Sequence, residues 1–204
     1  MPSAQLTDSA RQEHVLSVAL EVFGRYGFRK TSMDEVARSA DISRQGLYLY
    51  FESKEALFRA AVRQELDTAL SEASHCLEEE NVALEDRVVA ALDAWMGRFV
   101  GSILASDIGN MLESSAMQLG DMAAEFSAAF EARLSSTIAA ATTASDRRQL
   151  GVTPEEITET LHAVGKGWRF LVDSRSEFVA KVTSAARLIF AGFTSITKQA
   201  NPKK

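Results

Sequence analysis

Arg44 and Gln45 stand side by side, with Ser43 just before them and Tyr48 three residues after Gln45. On a helix, Arg44, Gln45 and Tyr48 would share one face. That face would carry a guanidinium fork, an amide that both donates and accepts, and a phenol. Arginine matches the paired acceptors on the edge of guanine, and glutamine matches the acceptor–donor edge of adenine. Thr31, Tyr50 and Lys54 lie nearby in the chain and carry hydroxyl and ammonium groups that can form hydrogen bonds.

Short helices must hold these side chains. Thr31 occupies an N-cap position with Asp34 three residues on, close to the capping-box pattern. Met33, Val36 and Ala37 give the apolar spacing of a short helix. Ser43 caps a second helix that opens Arg44-Gln45-Gly46-Leu47-Tyr48, and Ser53 a third that opens Lys54-Glu55-Ala56-Leu57-Phe58. Three caps in so short a span imply short helices with sharp turns, as a helix-turn-helix requires.

The segment from about Val15 to Val62 resembles the DNA-binding domain of the TetR/AcrR family of transcriptional regulators. The matching residues run in order. Ala19-Leu20-Glu21-Val22-Phe23 leads to Tyr26-Gly27-Phe28, then to Thr31-Ser32 and Asp34-Glu35-Val36-Ala37. Ile42-Ser43, Gly46-Leu47-Tyr48-Leu49-Tyr50-Phe51 and Ser53-Lys54-Glu55-Ala56-Leu57 follow. In one place the chain departs from the family: Asp41 stands where the turn usually carries glycine. Aspartate tolerates the left-handed backbone better than most residues, so the turn should survive.

The resemblance implies an all-α fold: a three-helix helix-turn-helix domain over residues 10–56 and a helical effector-binding and dimerisation body over 57–200. It assigns DNA contact to Thr31, Ser43, Arg44, Gln45, Tyr48, Tyr50 and Lys54. Thr31 and Ser43 also read as simple caps, a role compatible with phosphate contact, and Tyr50 also reads as structural.

Composition agrees with a globular helical chain. It has 204 residues, 46% of them hydrophobic, few Gly or Pro, and almost no strand-like alternation. One cysteine, Cys76, rules out an intrachain disulfide and suits a reducing compartment. No apolar run approaches the ~20 residues that span a membrane. The first 14 residues lack the apolar core of a secretory signal, so a cytoplasmic location is expected, on the nucleoid when DNA is bound. Net charge is −6, but residues 25–63 hold eight Lys or Arg against five Asp or Glu. An acidic body would limit nonspecific adhesion to DNA and leave contact to a local basic face.

Apolar spacing places a first helix over about 10–26 and a fourth from Ser53 past Leu66, with a break at Glu78-Glu79-Glu80-Asn81. In the body it predicts helices over about 84–104 and 121–141, a short one near 110–118, and a polar loop over 142–151. Thr153-Pro154-Glu155-Glu156 then opens another helix with a cap, a first-position proline and a third-position glutamate. The resemblance implies that the last two helices pair with their copies in a second subunit. The dimer residues would be Ile157, Leu161, Trp168, Phe178, Val182, Ala185, Ile189 and Phe193. Periodicity alone shows a broad apolar surface, for which a fully buried monomer core is the lesser alternative.

Trp95, Phe99, Met111, Phe126, Phe130 and Trp168 are bulky apolar residues of the body that either line an effector cavity or fill a core. Glu113, His162 and Arg169 are the polar residues that could orient such a ligand. Gly165 and Gly167 within a helix allow either a close crossing or room for an effector.

The expected partners are therefore a palindromic DNA operator, a second copy of the chain and a small hydrophobic or aromatic effector that releases a repressor from DNA. A DNA-organising or protein-partnered relative without an effector is the alternative. Catalysis has little support. The three histidines, His14, His75 and His162, lie on separate segments, with no HExxH, no phosphate-cradling glycine loop and no triad. No metal or cofactor is called for, and Cys76 beside His75 is an incidental pair.

Overall fold

Local caps build the N-terminal helices of the computed structural model, which describes residues 8–101 and 116–200. Helix α1 spans Asp8–Tyr26, α2 Met33–Ser39, α3 Arg44–Tyr50 and α4 Lys54–Glu78. The α2 cap is Ser32, one residue later than expected. Its hydroxyl accepts from the Glu35 N–H at 3.3 Å, and the Glu35 carboxylate accepts from the Ser32 N–H at 2.7 Å. This reciprocal box requires glutamate at the third position, which Ser32 has and Thr31 lacks. The Ser32 N–H, and then its hydroxyl, hold the Glu35 carboxyl below the ordinary carboxylate range.

Between α2 and α3 the backbone reverses at Asp41, which adopts φ 53°. The Asp41 N–H reaches Arg38 O at 3.3 Å and the Ile42 N–H reaches Ala37 O at 3.0 Å. That pair is the Schellman closure, which places one left-handed residue just past the helix. Aspartate thus occupies the position expected of glycine and keeps the turn.

Among the described residues the chain divides into two compact units, 8–67 with 116–123, and 68–101 with 124–200. The division falls within α4. The first turns of α4 bury Leu57, Phe58, Ala61 and Val62, and Phe58 packs edge-on against Phe23 at 5.1 Å and against Phe28 at 5.2 Å. Those turns therefore complete the core of the first unit, together with Val15, Ala19, Val36 and Leu47.

The second unit contains α5 (Leu84–Trp95), a 3₁₀ turn at Gly97–Phe99, most of α6 (Ala116–Ala141), α7 (Ala144–Leu150), α8 (Pro154–Leu171) and α9 (Arg175–Ala200). Among the described residues every regular element is helical. Helix α5 stops well short of the expected residue 104. At Gly97 a Cβ would stand 2.0 Å from Asp93 Oδ1 and 3.0 Å from a Phe178 ring carbon, so the chain turns where only glycine fits. The predicted short helix near 110–118 lies mostly outside the described residues. Helix α6 buries Phe126, Phe130, Leu134 and Ile138 at steps of four, as its spacing predicts. The expected polar loop over 142–151 is instead α7. Thr143 caps it by accepting from the Asp146 N–H, and Gly151 closes it at φ 69°.

Helix α9 packs against α5, α7 and α8. Its inner stripe is Phe178, Val182, Ala186 and Phe190, facing Ile157 and Leu161 of α8 and Val88 and Leu92 of α5 in the core of the unit. Arg175 ties α9 to α5 through two bonds to the Asp93 carboxylate, at 2.8 and 2.9 Å. Gly165 allows a close crossing within the chain, because a Cβ there would meet Met96 Sδ at 2.9 Å, while Gly167 faces open space.

Candidate nucleic-acid interface

Helix α3 presents its polar residues outward. Ser43 caps it, its hydroxyl accepting from the Gly46 N–H at 2.9 Å. Leu47 is fully buried and anchors the helix, while Ser43, Arg44, Gln45, Tyr48 and Leu49 are exposed. The predicted residues Ser43, Arg44, Gln45 and Tyr48 thus lie together on one accessible surface. Leu49 joins them at 83% exposure, a residue that sequence reasoning did not single out. Its signal was its place one turn beyond Gln45. An apolar side chain held in water beside hydrogen-bonding groups is suited to the methyl group of thymine.

Arg44 has a partner. Its Nη1 lies 3.1 Å from Asp34 Oδ2, and its guanidinium sits 5.6 Å from the Tyr48 ring centroid. Hydrogen bonding to Tyr48, and then the Asp34 charge, raise its proton affinity above the ordinary arginine value.

The other three predicted contacts take internal roles. Thr31 is 3% exposed and its hydroxyl donates to Gly27 O at 2.9 Å. Lys54 donates to the carbonyls of Phe28 and Thr31, each at 3.0 Å, with its ammonium 4.4 Å from the Phe28 ring centroid. Two of its three donors therefore close the loop between α1 and α2. The Tyr50 hydroxyl lies 3.3 Å from Asp8 Oδ1 and donates to it. The latter two pairings join positions far apart in the chain, which periodicity cannot reveal.

In the body, Trp95 stacks on Phe130 at 5.3 Å, and Phe130 lies 5.8 Å from the His162 ring. Trp95, Phe126 and Phe130 are 7%, 5% and 0% exposed, so these three residues fill core. Phe99 and Trp168 are half-buried, and Lys181 lies over the Trp168 ring at 4.7 Å. Met111 and Glu113 lie outside the described residues. Buried His162 is held on both ring nitrogens: Nδ1–H donates to the Glu131 carboxylate, and Nε2 lies 3.4 Å from Ser127 Oγ. Burial pushes the imidazole below its ordinary value and outweighs the opposing pull of Glu131. The Thr158 hydroxyl and Arg169 Nε are buried without a hydrogen-bond partner. Burial also lowers the Arg169 guanidinium.

Of the predicted dimer residues, Ile157, Leu161, Phe178 and Val182 are buried in the core of their own unit. Trp168, Ala185, Ile189 and Phe193 are half-buried. Among the described residues, the large apolar side chains of these helices that lie exposed are Phe170, Leu171 and Leu188, at 61, 73 and 80% exposure. A helical repeat alone does not say which stripe turns inward.

A capped reading helix behind a tight left-handed turn, in a small aromatic core, defines a helix-turn-helix domain. Residues 15–61 match the model of the bacterial regulatory proteins of the tetR family, and this N-terminal domain belongs to that family. The HTH-type transcriptional regulator RutR of Escherichia coli K12 is 43% identical over 63 residues, 31% of this chain and 30% of that protein. The uncharacterised HTH-type transcriptional regulator YfiR of Bacillus subtilis 168 is 39% identical over 72 residues, 35% of each chain. The chain thus spans about a third of these curated relatives. Solved structures extend the likeness in fold. Reduced NemR of E. coli aligns with TM-score 0.69 at 17% identity, covering 88% of this chain and 96% of that one. A TetR transcriptional regulator from Legionella pneumophila aligns with TM-score 0.65 at 15% identity, covering 92% and 99%. Among the described residues no helix is long and apolar enough to cross a membrane, and no group of His, Cys, Asp or Glu could hold a metal.

Proposed function

We propose that this protein is a homodimeric transcriptional regulator that binds double-stranded DNA through α3 and acts as a repressor released by a small hydrophobic or aromatic effector. The observation that carries the DNA reading is the outward face of α3. Arg44, Gln45, Tyr48 and Leu49 are exposed on a helix that a buried Leu47 and a Ser43 cap already hold. Arg44 would read guanine, Gln45 adenine and Leu49 a thymine methyl. Tyr48 would meet a phosphate, with Tyr50 and the remaining donor of Lys54 as lesser contacts. Two copies would set their reading helices about 34–36 Å apart, in successive major grooves.

Association is supported by the outer sides of α8 and α9, where Phe170, Leu171 and Leu188 lie in water. The effector is supported by the unpartnered Thr158 hydroxyl and Arg169 Nε, because buried polar groups normally find partners. Binding must favour the geometry that does not fit DNA, so that the effector shifts the population away from the operator.

The test is retention of genomic fragments by the purified protein, followed by sequencing. Enrichment of a short inverted repeat, lost in Tyr48→Ala, is expected. Retention without an enriched sequence would favour a DNA-organising protein, and no retention at low salt would defeat the DNA reading.

A further inference from the structure

Asp34 lies in the first turn of α2, ten residues before Arg44, and the turn at Asp41 brings the two together at 3.1 Å. The pair adds little to stability. Its side chains are 62% exposed for Arg44 and 50% for Asp34, and solvent-exposed ion pairs contribute little on average. Helices α2 and α3 are held by buried Val36, Ala37 and Leu47 instead. The carboxylate also projects from a surface that should attract phosphates, where it weakens nonspecific attraction.

Its consequence is for the guanidinium. A free arginine side chain samples many rotamers and loses that freedom on binding, about 2 kcal/mol in full. Here Arg44 is fixed on two sides, by Asp34 at Nη1 and by the Tyr48 ring. The planar fork has five N–H donors, and the contact at Nη1 leaves others for a bidentate pairing. Guanine demands such a pairing with defined geometry, and ordering the fork beforehand reduces what binding must order.

Resting on the DNA-binding reading of α3, we propose that Asp34 is a specificity-determining positioning residue. It orients Arg44 toward one guanine-containing base pair and lowers the affinity for other sequences. Asp34 itself touches no base. It raises the ratio of specific to nonspecific binding by ordering the guanidinium that reads the base.

The experiment is selection of sites from a randomised duplex library by four full-length proteins: wild type, Asp34→Ala, Arg44→Ala and the double variant. Titration of the enriched duplex and a scrambled one at fixed salt follows. Asp34→Ala should bind the scrambled duplex as well as or better than wild type. Its specific-to-scrambled ratio should fall about tenfold, within the range of one bidentate base contact. The lost preference should fall on the base pair where Arg44→Ala also loses it, and Asp34→Ala should remove no further base preference in the Arg44→Ala background. Asp34→Asn, which keeps the side-chain size, replaces Asp34→Ala if the latter fails to fold. Unchanged base preferences in Asp34→Ala, or the same loss with and without Arg44, would overturn the positioning role. If wild type enriches no sequence at all, the parent DNA reading fails and the positioning role falls with it.

Discussion

Helices α3 and α8 both open on a hydroxyl cap, Ser43 and Thr153, and both group polar side chains on one face. On α3 that face looks into water and the apolar Leu47 looks inward. On α8 the polar residues Thr158 and His162 share the inner face with Ile157, Leu161 and Gly165. The difference is one of consequence. An outward polar group exchanges water for a ligand at no cost to the fold, whereas an inward one is part of the fold's own balance. His162 is satisfied by Glu131 and Ser127, and Thr158 is not satisfied at all. Substitutions on the first helix should therefore move binding, and substitutions around the second should move stability.

The largest effect should come from Phe130→Ala. Phe130 is fully buried between the Trp95 and His162 rings. Its truncation should lower unfolding free energy by about 3–5 kcal/mol in denaturant titration. A loss below about 1 kcal/mol would mean that the body can collapse around the gap, and that the aromatic cluster is looser than its burial indicates. Arg44→Ala comes next and tests the opposite side of the comparison. It should weaken binding to a selected operator by about 1–3 kcal/mol and leave the thermal midpoint nearly unchanged, since surface substitutions usually stay within about 0.5 kcal/mol. If Arg44→Ala lowered stability as much as affinity, the separation between an outward binding helix and an inward structural one would fail.

The pH dependence sharpens the contrast within α8. The folded His162 titrates below its ordinary value because burial disfavours the imidazolium. The unfolded chain therefore binds its proton first as pH falls. Stability should be complete above the unfolded value, near 6.5, and decline as pH drops through it toward the lower folded value. In His162→Gln this part of the decline should vanish from thermal unfolding measured between pH 7.5 and 5. An unchanged profile would place the titration elsewhere. The same change should leave the α3 reading face untouched.

What could be read from the sequence follows how local each cause is. Caps act over three residues, so α3 and α8 were legible from Ser43 and from Thr153 with Glu156. The error at α2 arose because Thr31 and Ser32 are both hydroxyl residues, and only Glu35 decides between them. Helix α7 buries no side chain and so has no apolar period to read, and its only signals are the Thr143 cap with Asp146 and the Gly151 stop. Helix α5 was read too long because its apolar spacing continues past Gly97, whose missing Cβ matters only against Asp93 and Phe178. Pairings across the fold were not legible: Asp34 with Arg44, Glu131 with His162, or Lys54 with the Phe28 and Thr31 carbonyls. The buried stripe of α9 needed the packing of α5, α7 and α8 to orient it.

The smallest expected effect belongs to Asp41, and it tests how firmly the reading domain is determined. At φ 53° an L-residue meets its own carbonyl, a strain of about 1–2 kcal/mol for most side chains and less for aspartate. Glycine would relieve that strain, but it also enlarges the unfolded ensemble by about 0.5–1 kcal/mol. The two terms oppose each other, so Asp41→Gly should shift thermal stability by no more than about 0.5 kcal/mol in either direction. Asp41→Val, with a branched side chain, should lose about 1–2 kcal/mol. A gain well above 1 kcal/mol in Asp41→Gly would show that the turn stores strain. In that case the exposed face of α3 would rest on a hinge under tension, and substitutions there would move stability after all.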